Sequence, residues 1–351
     1  MNLARELLQI ALGRQQCLSA QVPDAVWEQT REFCRRQLVL PLACKAMRAL
    51  PAAFLPSAAV REAWEREAQA QAILNEILYA QAPKVQAYFT ERGLSACILK
   101  GCGYARFYDE PLSRHVGDID IWVQAPREQT LAAIREHYSV SDILLQECKM
   151  HWAPDTAIDI HFYPCKFSNP VLNRRFRRFA KAHGTNQALF PDIAFDLVFC
   201  AVHMFRHVPR GGICFKQLVD YWYILHAATP DERNRAFWEL CQLGMRRFAG
   251  ELMYVMQHCL LLERGVMLCP PDKRQGACLL EEVLQYGCPE PDGRNVMSMR
   301  HVLHFLPRYP REILWTFYGK ATQYAWRRLH GYHRGGTTSR PASGPPATQD
   351  D

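Results

Sequence analysis

The chain has 351 residues, 49% hydrophobic and 22% charged, with a formal net charge of +7. This length supports a sizeable core and two or three structural units, and the balance excludes disordered and fibrous classes. The modest basic excess suits anionic ligands such as nucleotides, but it gives nucleic acid no support as a partner.

Residues 1–93 read as helical. "MNLARELLQIALGR" is an amphipathic helix and not a secretory leader. "DAVWEQTREFCRRQLVLPLACKAMRAL" carries Val26, Trp27, Phe33, Leu38 and Leu40 at helical spacing. After Pro51 and Pro56, Ser57 opens a long amphipathic stretch that ends at Gly93 as a C-cap.

The pattern changes over residues 94–170, where "LSACILKG", "GDIDIWVQ", "SDILLQECKMHWAP" and "TAIDIHFYP" read as strands. One helix is expected from about Tyr104 and another over "REQTLAAIREHY", and the last two strands turn at Pro154-Asp155. The order is β-α-β-α-β-β. From 171 to 334 the chain is helical again, and the Gly/Pro/Ser/Thr-rich tail 335–351 reads as disordered. No apolar run reaches the length of a membrane span. The fourteen cysteines are scattered without structural-zinc spacing, which predicts reduced thiols in a cytoplasmic protein.

The chemistry concentrates in "GDIDIWV". Residues two apart on a strand share a face, so Asp118 and Asp120 project together while Ile119, Ile121 and Val123 point the other way. Adjacent carboxylates repel, and a divalent cation relieves the repulsion. Gly117, just before the pair, lets the backbone turn and leaves room for a ligand. Asp159 in "AIDIHF" sits between isoleucines in the same way, with His161 on its own face. Three converging carboxylates meet the demand of two-metal phosphoryl or nucleotidyl transfer; an isolated DxD motif arises often by chance. Lys100-Gly101 ends the first strand, where a glycine turn into a helix offers N–H groups and a point charge to phosphate; the bland alternative is a plain turn with a solvated lysine. Arg114, four residues before Asp118, is placed to meet a triphosphate, to pair with the acids, or to be an ordinary loop arginine.

Together, "ILKG…FY…PLSRHVGDIDIWV" and "AIDIHF" resemble the DNA polymerase β-like nucleotidyltransferase superfamily, and within it nucleotidyltransferase family 5. A further likeness lies in "CAVHMFRHVPRGGICFKQLVDYWYIL", through His203, Gly212, Lys216, Gln217 and Asp220. The resemblance implies an α+β fold: a small mixed-sheet nucleotidyltransferase core at 94–170, flanked by helical regions at 1–93 and 171–334. It implies Mg²⁺, with Mn²⁺ as an alternative, held by Asp118, Asp120 and Asp159 as catalytic residues. It also implies an NTP donor contacted by Lys100, Gly101, Arg114, Gly117, His161, Lys216 and Asp220. The acceptor is an unidentified small molecule, peptide or protein, and pyrophosphate is released. Two departures stand out. Cys102 replaces the usual serine after Gly101, and the 17 positions from Gly101 to Asp118 exceed the usual spacing.

The residues read alone leave rivals. Lys216 and Asp220 also fit an i, i+4 charge pair on an amphipathic helix, and His203 with His207 fit packed histidines better than metal ligands. "NRRFRRF" suits either an anionic acceptor or a solvated basic face. A catalytically inactive nucleotide-binding or scaffolding partner is one alternative function. A DxD glycosyltransferase is another, disfavoured because that fold needs an α/β half upstream of the motif.

Overall fold

A computed structural model describes residues 2–153, 156–184, 188–208, 212–286 and 304–330. The expected turn at Pro154-Asp155 and the tail 335–351 lie outside the described residues.

The N-terminal region is helical, in more pieces than the periodicity suggests. Helix α1 (Asn2–Ala11) buries Leu3, Leu7 and Leu8, which recur at helical spacing. The apolar pattern over 24–50 is split into α2 (Asp24–Arg36) and α3 (Leu40–Arg48). Leu38 breaks it with φ of 56°, a left-handed conformation that ends a right-handed helix, and Pro41 suits the first turn of the next. Helix α4 (Ala58–Thr90) runs for 33 residues. It closes as expected at Gly93, whose φ of 72° lets the Leu94 N–H donate to the Phe89 carbonyl at 3.0 Å.

The described residues form two compact units, each assembled from stretches distant in sequence. The sheet-bearing unit draws on Leu78–Gly103, Gly117–Asp192 and the described residues from Leu314 onward. Its strands are β1 (Ala96–Ile98), β2 (Ile119–Val123), β3 (Ser139–Ser141), β4 (Glu147–Ala153) and β5 (Thr156–His161). Between them lie α5 (Cys102–Ala105), whose last two residues are grouped with the other unit, and α6 (Arg127–Arg135); α7 (Pro170–His183) follows β5. The order is β1-β2-β5-β4-β3, with β2 and β5 parallel and the other pairs antiparallel. This is a mixed-sheet α+β architecture of the kind expected. The single strand expected over 141–154 is instead interrupted, and Asp142, at φ 46°, marks the end of β3.

Register fixes which side chains share a face. On one face, Ile98, Ile121, Ile160 and Cys148 form a row across four strands, and Ile119, Ile158, Met150 and Val140 form a second. All eight are essentially buried. The last turns of α4 cover this face together with α6: the Tyr88 hydroxyl donates to the Ala133 carbonyl at 2.6 Å, and Trp152 donates to Gln81 at 2.8 Å. The opposite face carries Asp120, Asp159, Lys149 and Ser141 in one row and Trp122, His161 and Glu147 in the next.

The helical unit comprises the remaining described residues up to Ile313 and includes α8 (Ile193–His207), α9 (Phe215–Ala227), α10 (Pro230–Gln242), α11 (Arg246–Leu260) and α12 (Lys273–Tyr286). The last helix, α13 (Pro310–His330), passes at Leu314 into the residues grouped with the sheet. Inside the helical unit, Arg114 and Asp220 are each 3% exposed and pair bidentately, Nε to Oδ1 and Nη2 to Oδ2, both at 2.8 Å. The Tyr108 hydroxyl donates to the same Oδ1 at 2.7 Å. Fully buried Asn75 holds the flanking chain, donating to the carbonyls of Leu112 and Arg114 and accepting from the Val116 N–H. Removing one member of a buried ion pair strands its partner's charge. Calorimetry of Asp220→Ala should therefore show a loss of about 3–5 kcal/mol, whereas Lys216→Ala, half-buried, should cost under about 1 kcal/mol. Equal losses from the two variants would contradict this account of the pair.

Candidate active site

Three carboxylates converge on the polar face of the sheet. Asp118 is exposed just before β2, Asp120 is 1% exposed within it, and Asp159 is half-buried on β5. Because β2 and β5 pair in parallel, Asp120 lies directly beside Asp159. One carboxylate oxygen from each of the three falls within 4.8 Å of the others. Oxygens around an octahedral Mg²⁺ at about 2.1 Å are separated by about 3–4 Å, so a small inward movement closes this cluster on a cation.

Asp120 is the best-held member. Its Oδ1 accepts from the Lys100 ammonium at 2.5 Å and lies 2.8 Å from His161 Nε2. Its Oδ2 is buried and has no hydrogen-bond partner among the described residues. A buried, unsatisfied carboxylate oxygen is costly in a core and is what a metal ligand looks like before the ion arrives. The donor set is all oxygen, as hard divalent cations require. Asp118, Asp120 and Asp159 thus fit a divalent ion.

The electrostatics follow from this crowding. Burial pushes the Asp120 carboxyl up, but the adjacent Lys100 charge and the His161 hydrogen bond prevail and hold it well below the usual range. Burial depresses His161, yet Asp120 and Glu147 overcome this and raise it, favouring an imidazolium held between two carboxylates. Lys100 is likewise raised against the effect of burial, by Asp120 and then Asp118. Asp159 goes the other way: burial, then repulsion from Asp120 and Asp118, lifts it to about 6.

The surroundings of the other anticipated residues are mixed. The Leu99 N–H donates to the Asp120 carbonyl at 2.9 Å, which prolongs the β1–β2 pairing and brings Lys100 alongside Asp120. Gly101 has φ of 56°, so the turn there does require glycine. The following α5 is a single turn, the Gly103 N–H is engaged by the carbonyls of Leu99 and Lys100, and Cys102 is buried. Gly117 lies outside the left-handed region, and a Cβ there would meet nothing within 4 Å. Its backbone does not demand glycine, but the space beside it is open.

Arg114, Lys216 and Asp220 belong to the helical unit. The oxygens of Asp220 are taken up by Arg114 and Tyr108, in place of an i, i+4 pair with Lys216. Gln217 caps α9 by accepting from the Cys214 N–H at 3.1 Å. His203 and His207 approach to 3.1 Å between Nε2 atoms on α8; among the described residues no further ligand completes a metal cluster there.

Glu147 and Lys149 were not anticipated. Glu147 lies 3.5 Å from His161 Nδ1, and the Lys149 ammonium lies 3.7 Å from Asp159. Their signal is the alternation in "ECKMHW", where Glu147, Lys149 and His151 share one face.

The raised Asp159 carboxyl has a direct test in the metal-free protein. A folded-state value near 6, above the ordinary 3.8, means the folded chain binds this proton more tightly than the unfolded chain, so stability falls as pH rises from about 4 to 6. Carboxyl NMR should find Asp159 titrating near 6, and Asp118→Asn should lower that value by removing a neighbouring charge. An unchanged value in the variant would disprove the coupling.

Comparison with known proteins agrees with the site. No curated protein matches the chain. A family profile described as "Uncharacterised nucleotidyltransferase" matches residues 23–260, from α2 through α11, and so spans the whole sheet and the acidic trio. With the acidic trio set on a mixed sheet and two thirds of its length under this profile, the chain belongs to that nucleotidyltransferase family.

Proposed function

We propose that the protein transfers a nucleoside monophosphate from an NTP to an acceptor hydroxyl, using a divalent cation, Mg²⁺ or alternatively Mn²⁺. The observation that carries this reading is the buried, unpartnered Oδ2 of Asp120 beside the oxygens of Asp118 and Asp159. Asp118, Asp120 and Asp159 would hold the cation, which supplies positive charge to the phosphates when bound. Lys100, at the Gly101 turn, extends an ammonium toward the same place, and the open space beside Gly117 leaves room for phosphate. His161 orients Asp120 by its 2.8 Å contact, itself steadied by Glu147.

In the reaction, the acceptor oxygen forms a bond to the α-phosphorus while the bond from that phosphorus to the bridging oxygen breaks. Pyrophosphate leaves with the electron pair. The hydroxyl proton passes to the carboxylate of Asp159, which stands directly beside Asp120 with its oxygens at the same place. The closed, bidentate Arg114–Asp220 pair favours a structural role for both residues over a phosphate contact. A reducing, cytoplasmic setting accords with the absence of disulfides among the described cysteines, and no described helix is long and apolar enough to cross a membrane.

The test is release of pyrophosphate from each NTP, with Mg²⁺ or Mn²⁺ and a pool of hydroxyl-bearing acceptors. Pyrophosphate, and not orthophosphate, should accumulate, and Asp118→Ala should lower the rate about a thousandfold. Equal activity in that variant, or orthophosphate as the product, would refute the proposal.

A further inference from the structure

We propose that the acceptor binds in the cavity at the carboxyl ends of β2 and β5, and that it is an anion with a flat apolar portion. This assignment rests on the transfer reading above. The cavity measures about 670 Å³ and lies wholly within the sheet-bearing unit. Trp122, Phe162 and Tyr163 give it aromatic walls, and α7 contributes Arg174, Arg177, Arg178 and Lys181.

Position ties the cavity to the carboxylates. Trp122 follows Asp120 by two residues on the same face of β2, about 7 Å further along the strand. On the neighbouring strand, Asp159 and His161 lead in the same direction toward Tyr163. A molecule lying on Trp122 can therefore reach the carboxylates with a hydroxyl group.

The cavity is built and not incidental. An added Cβ at Gly184 would come within 2.9 Å of both Trp122 and Gln124, so the end of α7 presses directly on the end of β2. Phe176 and Phe179 anchor the other side of α7 in the core. The Arg177 guanidinium lies over the Tyr163 ring at 4.0 Å, joining the basic and aromatic walls. Among the described residues, no carboxylate pairs with Arg174, Arg177, Arg178 or Lys181.

Charge selects the occupant. An NTP carries its negative charge on the triphosphate, which the carboxylate-bound cation and Lys100 receive, and its base is uncharged. Four unpaired cations beside aromatic walls therefore suit the second substrate, with its anionic group on the arginines and its flat portion on Trp122.

Calorimetry on the full chain can decide this, with phenyl phosphate as the probe, inorganic phosphate and phenol as controls, and a non-hydrolysable NTP analogue with Mg²⁺. Phenyl phosphate should bind at least about tenfold more tightly than either control, and equally well when the analogue is bound. The double charge reversal Arg177→Glu with Arg178→Glu alters exposed residues, so it should fold normally. It should weaken phenyl phosphate at least about tenfold while leaving the analogue within about twofold. A second variant, Arg177→Gln with Arg178→Gln, should show the same order with a smaller loss. Competition between probe and analogue would overturn the proposal by giving the cavity to the NTP. Binding indifferent to charge reversal would overturn it by making these arginines a solvated face. Failure of the analogue to bind at all would sink the transfer reading and the acceptor assignment with it, while the arginine dependence of phenyl phosphate would still report on the cavity itself.

Discussion

The parallel pairing of β2 with β5 puts the Asp120 carboxylate directly beside that of Asp159, and Asp118 stands two residues before Asp120. Like charges so placed repel strongly where solvent is scarce. The arrangement persists because the opposite face of the same strands is an uninterrupted isoleucine surface. A one-residue slip would turn the acids into the core and the isoleucines toward solvent, so the apolar face locks the carboxylates into register. The repulsion is thus imposed by the fold, and every charged neighbour can be understood as a response to it.

Those responses are unequal, and the inequality is informative. Asp120 receives both Lys100 and His161 on one oxygen, while its second oxygen has no partner among the described residues. Asp159 has Lys149 at 3.7 Å, but burial and then repulsion from Asp120 and Asp118 prevail and raise its carboxyl. A site designed solely for stability would have satisfied Asp120 Oδ2 and separated Asp159 from its neighbours. What remains is an oxygen-lined gap beside one firmly held carboxylate, an arrangement suited to a divalent cation.

Much of this was legible in the sequence, for reasons that are local. The DxD spacing gives a shared face, the flanking isoleucines identify the opposite one, and "AIDIHF" repeats the pattern; together these mark Asp118, Asp120 and Asp159 without knowledge of which strands adjoin. Gly93 and Gly101 were also readable, because both sites need a left-handed backbone. What could not be read depends on contacts between distant segments. Arg114 meets Asp220 across 106 positions, a pairing that no spacing rule reveals. The partition into two units likewise follows tertiary contacts, with 104–116 grouped with the later helices and α4 shared between the units. The break at Leu38 escaped because a left-handed leucine leaves no mark on helical periodicity. Glu147 and Lys149 showed their alternation, but nothing local said that β4 would lie against β5.

The central claim is that the three aspartates form a divalent-cation site. Titration with Mn²⁺ followed by electron paramagnetic resonance tests it most directly, since it needs neither the acceptor nor the correct NTP. The account predicts saturable binding to the wild-type chain, weakened at least about tenfold in both Asp118→Asn and Asp159→Asn. Binding of equal strength in the wild type and both variants, or none in the wild type, would contradict it.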